Sequence, residues 1–147
     1  FAMGRLVGTK LSQLDKMFKL NFETAYNVTR VAFEQMSDQE NGGKLFFIGS
    51  RSSFDAAAGK NMIAYTLSKS LLTKLSELIN AEGKKKNITS SILVPSVIDT
   101  PSNREAMPDA DFDTWVKPEK IADILLFLCS ETADDLRESV VKVYGNV

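Results

Sequence analysis

Two short apolar runs, each preceded by a long stretch of helical periodicity, constrain the fold of this chain more than any other feature. They are Lys44-Leu45-Phe46-Phe47-Ile48-Gly49 and Ile88-Thr89-Ser90-Ser91-Ile92-Leu93-Val94. Runs of this length, closed by glycine or proline, suit strands buried on both faces. The first helical segment reads from Leu14 to Met36, with Ser12 as its cap and Met17, Phe18, Phe22, Tyr26, Val28, Val31 and Met36 on its apolar face. The second reads from Met62 to Ala81 through Ile63, Leu67, Leu71, Leu72, Leu75, Leu78 and Ile79. Between them, Gln39 to Gly43 is a polar break, and the small residues of Ser50 to Lys60 read as a loop. Pro118 suits the first turn of a helix ending near Cys129, and Val140 to Tyr144 reads as a closing strand. Alternation of this kind predicts an α/β fold, a doubly wound parallel sheet with helices on both faces. Ligands of such sheets sit at the carboxyl ends of the strands, here Ser50 to Ser53 and Pro95 to Pro101.

Composition narrows the chemistry. With 147 residues, 44% of them hydrophobic, 25% charged and a net charge of −1, the chain reads as one soluble globular unit with no basic excess for nucleic acid. Its longest apolar stretches, such as Ile121 to Cys129, are too short to cross a bilayer, and no signal peptide opens it, so a cytoplasmic protein is expected. The single cysteine, Cys129, reads as a small buried hydrophobe. The absence of histidine argues against zinc sites and Ser-His-Asp triads. The chain opens at Phe1 with no strand before it, so it reads as a piece of a longer protein.

Tyr65 and Lys69 stand four residues apart in the second helix, one turn apart on one face. An ammonium beside a phenol favours the phenolate, drawing a pKa of about 10 toward neutrality and making the tyrosine a usable proton donor and acceptor.

Four separated pieces together resemble the second half of the short-chain dehydrogenase/reductase fold. They are Leu20-Asn21-Phe22 in the first helix, Phe47-Ile48-Gly49-Ser50 at the first strand end, Tyr65-Thr66-Leu67-Ser68-Lys69, which is similar to the YxxSK motif, and Pro95-Ser96-Val97-Ile98-Asp99-Thr100, which resembles the PGxIxT cofactor loop. The resemblance implies a Rossmann-like, three-layer α/β/α architecture. Residues 1–147 would form the C-terminal part of one such domain, its N-terminal βαβ half, with the Gly-rich pyrophosphate turn, lying outside the sequence. It further implies hydride transfer between NAD or NADP and a carbonyl or hydroxyl carbon. Tyr65 exchanges the proton and Ser50 holds the substrate oxygen. Lys69 tunes Tyr65 and holds the nicotinamide ribose, and Asn21 supports a relay water. Tyr65, Lys69, Pro95, Ile98 and Thr100 are the expected cofactor contacts, with no metal among them.

Two positions depart from the family pattern. Ser96 stands where the cofactor loop usually has glycine. The family's usual spacing before the tyrosine selects Ser52, whereas the strand end selects Ser50 as the catalytic serine. Arg51 and Asp55 read as solvated or locally paired. The segment Asp99 to Trp115 is also similar to the DTPxNRxxMPxADFxxW stretch of dihydropteridine reductases, which implies an alternative quinonoid dihydropterin substrate; the plainer reading is a shared structural lid without pterin specificity, with Phe112 and Trp115 packing against the helix that follows. A non-catalytic interaction module is the competing class. The helices around 14–36 and 62–81 resemble those through which the family builds homodimers and homotetramers.

Overall fold

The computed structural model describes residues 1–145. In chain order its helices are α1 (Leu11–Met17), which continues through a π-helical turn at Phe18–Glu23 into α2 (Thr24–Ser37), then α3 (Ala56–Gly59), α4 (Ile63–Gly83), α5 (Pro101–Ala106) and α6 (Pro118–Cys129). Three strands, β1 (Gly43–Ile48), β2 (Ile88–Pro95) and β3 (Val140–Val143), form a parallel sheet in the order β1-β2-β3. Gly43 lies opposite Ile88 and Ile48 opposite Leu93, and the second ladder begins where Ile92 meets Val140.

Side chains alternate across each strand, so the two faces of the sheet collect different residues. Leu45, Phe47, Ile88, Ile92 and Val94 pack against Leu72, Leu75 and Ile79 of α4, with Ala25, Phe33 and Met36 of α2 at the margin. On the other face Phe46, Ile48, Leu93, Val141 and Val143 meet Ile121 and Leu128 of α6. The result is the Rossmann-like three-layer α/β/α arrangement that the alternation of elements predicts. Ile92 and Leu93 at its centre are fully buried, each stabilising the fold by about 1.5–3 kcal/mol.

Four local expectations change. The first helix starts at Leu11, and Ser12 lies inside its first turn; the Lys10 N–H there donates to Gln13 Oε1 at 3.0 Å. That helix is also not uniform. The π turn widens the spiral by one residue, and in α2 Ala25, Thr29, Phe33 and Met36 face inward while Val28 and Val31 are exposed. The stretch expected as loop contains a 3₁₀ turn at Arg51–Ser53 and α3, which is capped by Asp55 Oδ1 accepting from the N–H groups of Ala57 and Ala58 at 3.0 and 3.3 Å. Cys129 is exposed rather than buried, because Leu128 takes the inward position at that end of α6.

Two polar devices close the sheet's amino-terminal side. Ser90 shares the parity of Ile92, whose N–H reaches Ser139 O, but β3 does not extend far enough to pair with Ser90. The buried Asn80 amide takes over: its Nδ2 donates to Ser90 O at 2.8 Å and its Oδ1 accepts from Ser90 N–H at 2.7 Å. Lys44 Nζ donates to the carbonyls of Leu128 and Ser130, each at 3.1 Å, and pairs with Asp134 at 2.7 Å, placing a cation at the negative end of the α6 dipole. Among the described residues no helix is long and apolar enough to cross a membrane.

Candidate active site

The carboxyl end of β1 delivers the first functional group. Gly49 N–H closes the ladder on Leu93 O at 2.7 Å, and a Cβ at Gly49 would lie 2.9 Å from Ile92 Cδ1, so a larger residue here would require the Ile92 side chain to shift. Ser50 follows in extended conformation as the cap of the 3₁₀ turn, its Oγ accepting from Ser52 N–H at 3.4 Å. The two serine hydroxyls lie 3.0 Å apart, with Ser52 buried.

The start of α4 supplies the second group. Tyr65 stands in its first turn, and Lys69, one turn on, sends Nζ to Ile48 O at 2.9 Å, which ties the helix to the end of β1. Between them Ser68 is fully buried, donating to Tyr65 O at 2.8 Å and accepting from Asn21 Nδ2 at 3.0 Å. Asn21 sits within the π turn, so the widened spiral and the tyrosine helix are joined through this hydroxyl. Periodicity treats Ser68 as one more helix position; its signal is the serine of the YxxSK pattern.

Electrostatics at the pair differ from the simple expectation that the ammonium lowers the phenol's pKa. Burial raises the Tyr65 pKa above its ordinary 10.0, with the neighbouring Ser50 hydroxyl acting weakly the other way. Burial also lowers the Lys69 pKa, and its Nζ is directed to a backbone carbonyl. Burial therefore sets the direction of both shifts, and Tyr65 is held as the neutral acid.

Ser50, Ser52, Tyr65 and Lys69 open onto one cavity of about 480 Å³, whose opposite wall carries Pro95 and Ile98. Asn21 and Thr100 do not line it. Asn21 stands behind Tyr65 through Ser68, and the Thr100 hydroxyl caps α5 by accepting from Asn103 N–H at 3.2 Å. Ser96, at the usual glycine position, turns its hydroxyl to Tyr144 O at 2.8 Å.

The remaining wall comes from residues 97–116. Asp99 N–H reaches Val116 O and Val116 N–H reaches Val97 O, pinning the two ends of the segment together at 2.8 and 2.9 Å. Arg104 makes a two-pronged ion pair with Asp99 at 2.6 and 2.8 Å, and its guanidinium lies 4.6 Å from the Phe112 ring centre. Phe112 in turn packs on Trp115 with ring centres 4.8 Å apart, and Trp115, with Met107 and Asn103, faces the cavity. The sequence predicts that Phe112 and Trp115 pack against the helix that follows; here their rings pack on each other. Helix α5, Asn103 and Met107 were not expected; the Thr-Pro pair at 100 and 101, a cap followed by proline at the first helical position, is the signal for them.

A family model described as short chain dehydrogenase matches residues 3–111 of the chain. The uncharacterized oxidoreductase YuxG of Bacillus subtilis is 33% identical over 142 residues, covering 82% of this chain and 20% of that protein. The 2-dehydro-3-deoxy-D-gluconate 5-dehydrogenase of Dickeya dadantii is 25% identical over 141 residues, covering 89% of this chain. This chain spans 55% of the length of the Dickeya enzyme. In fold, a Beutenbergia cavernae protein solved with NADP bound at low occupancy superposes with a TM-score of 0.84 at 20% identity, covering 96% of this chain and 59% of that one.

Proposed function

The chain belongs to the short chain dehydrogenase family, and from that premise we propose that it is the C-terminal part of a single-domain oxidoreductase that moves hydride between NAD or NADP and a carbonyl or hydroxyl carbon, with Tyr65 exchanging the proton. The observation that carries this reading is the convergence of Ser50, Tyr65 and Lys69 on one cavity faced by Pro95 and Ile98. The residues fit a nicotinamide dinucleotide: Lys69 spends one of its three donors on Ile48 O, and the other two suit vicinal ribose hydroxyls. Pro95 and Ile98 supply an apolar wall for a flat ring, and Thr100, outside the cavity lining with its hydroxyl oxygen capping α5, keeps its hydroxyl proton for a phosphate or carboxamide.

When bound, the dinucleotide supplies or accepts the hydride; the remaining tasks belong to this chain. Tyr65, kept protonated by burial, donates its proton to the oxygen that becomes a hydroxyl, and takes it back in the oxidative direction. Ser50 Oγ donates to the same oxygen as negative charge grows there, a stabilisation of about 3–4 kcal/mol when preorganised. Ser52 orients Ser50 through the 3.0 Å contact between their hydroxyls, so Ser50 is the serine assigned to substrate. Asn21 and Ser68 hold the backbone under Tyr65, and the relay water is the further task assigned to Asn21.

The test is oxidation of NADH or NADPH by the intact protein across a carbonyl panel, with a nicotinamide-dependent rise in Tm as the binding measurement. Activity that disappears in Tyr65→Phe supports the reading. Neither activity nor a Tm shift would leave the interaction-module class standing. The Asp99–Trp115 segment favours a second reading, a quinonoid dihydropterin as acceptor, because Trp115 and Met107 offer a flat, soft surface to the same cavity. Dihydropterin-dependent oxidation that survives Ser50→Ala would select it. The exposed Val28, Val31, Leu67 and Leu78 support a homodimer or homotetramer built through α2 and α4, which light scattering tests directly.

A further inference from the structure

We infer that the substrate carries an anionic group, a carboxylate within a few bonds of its reacting carbonyl, and that Arg51 is the residue that selects it. This inference rests on the reductase reading above and adds the charge class of its substrate.

Among the described residues the cavity is lined by two charged side chains, Arg51 and Lys69, both cationic, and by no carboxylate. Lys69 is directed to Ile48 O, which leaves Arg51 as the lining cation without a hydrogen-bonded partner. Arg51 directly follows Ser50, so the group that holds the carbonyl oxygen and the guanidinium are fixed by the same short turn.

The sequence suggests that Arg51 is locally paired, and the structure shows how little of it that pairing uses. Its guanidinium carbon lies 5.1 Å from the Tyr144 ring centre, a cation–π contact on one side of the group. Its Nε lies 3.5 Å from Asp55 Oδ2, a loose contact, while Asp55 Oδ1 is committed to capping α3. Among the described residues the guanidinium makes no hydrogen bond within normal distance, so its two terminal nitrogens keep their donors for a ligand. A guanidinium over an aromatic ring with an unused two-nitrogen edge matches a carboxylate in two-pronged geometry.

The same edge could instead take a phosphate of the dinucleotide, and the experiment separates the two sources. The intact protein is assayed with matched pairs of α-keto acids and their methyl esters, such as benzoylformate and methyl benzoylformate, as wild type, Arg51→Lys and Arg51→Met. The expected result is an acid-over-ester preference in kcat/KM of about tenfold or more, the size of a charge-assisted hydrogen bond, which falls to near parity in Arg51→Met and is partly restored in Arg51→Lys. An equal ratio in wild type and Arg51→Met overturns the inference while leaving the reductase reading intact. So does a loss confined to dinucleotide affinity, measured by nicotinamide fluorescence, since Arg51 then serves the cofactor. If no probe is turned over, keto-acid quenching of Trp115, the one tryptophan among the 147 residues, decides. Quenching by the acid and not the ester, lost in Arg51→Met, supports the inference; none in either overturns it. Failure of the reductase reading shows separately, as nicotinamide oxidation that is absent or independent of Tyr65.

Discussion

The two walls of the cavity are built in opposite ways. The wall carrying Ser50, Tyr65 and Lys69 is held through buried groups and the backbone: Lys69 on Ile48 O, Ser68 on Tyr65 O, and Gly49 N–H on Leu93 O. The facing wall, from Asp99 to Trp115, is pinned by backbone bonds only at its two ends, and the span between them hangs on an ion pair whose Arg104 side chain is half exposed and on two ring contacts in series. Groups that move protons must stay within fractions of an ångström, and buried hydrogen bonds give that rigidity. A wall that shapes itself to a substrate gains from contacts that water and salt can loosen.

The sharpest way to break this contrast is at Tyr65. Tyr65→Phe should lower kcat by about 10²- to 10⁴-fold while circular dichroism and Tm stay near wild type, because the ring keeps its packing. Ser68→Ala comes next. It leaves the Asn21 amide without its partner and should cost about 1–3 kcal/mol of stability, read as a lower denaturation midpoint together with a lower kcat. On the facing wall, Arg104→Ala should raise KM severalfold with kcat unchanged and increase the quenching of Trp115 by acrylamide. High salt should reproduce part of that effect on KM and none of it in the variant.

The sharpest pH comparison also contrasts the walls. Arg104 holds the Asp99 carboxyl below its ordinary 3.8, so the Asp99–Arg104 contact persists above that value and is lost as pH falls through the depressed pKa. Burial holds Tyr65 above its ordinary 10.0, so the native state keeps that proton longer than the unfolded chain, and stability declines as pH rises from 10.0 through the raised pKa. Because the Ser50 hydroxyl lowers the Tyr65 pKa, Ser50→Ala should move tyrosinate formation to higher pH, seen as the ultraviolet titration of each protein minus that of its Tyr65→Phe counterpart.

The wall made of buried groups was also the more legible in sequence. Leu45 to Ile48 and Ile88 to Val94 announce their strands because double-sided burial demands an apolar run, and Tyr65 and Lys69 share a face by helical geometry alone. The phase of α2 was hidden, since a one-residue widening at Phe18–Glu23 leaves no compositional mark and shifts every later position. The direction of the Tyr65 shift was hidden for a different reason: sequence displays the nearby ammonium but not the depth of burial that decides it. On the facing wall, Phe112 and Trp115 were legible as packing residues but not as partners of each other, and Arg104 was not legible, because its contacts with Asp99 and Phe112 depend on how α5 folds back. Cys129 shows the limit of residue type as a guide to burial, one position on a helix being enough to turn it outward.

Asn80 has a consequence for how this architecture can vary. By presenting one donor and one acceptor to Ser90, its amide impersonates a residue of a neighbouring strand. The turn Asp134 to Ser139 ahead of β3 is thereby released from edge duty, and its length becomes free to drift between descendants without leaving a raw hydrogen-bonding seam in the middle of the sheet. A single side chain thus separates the history of a surface turn from the integrity of the strand that carries the cavity's floor.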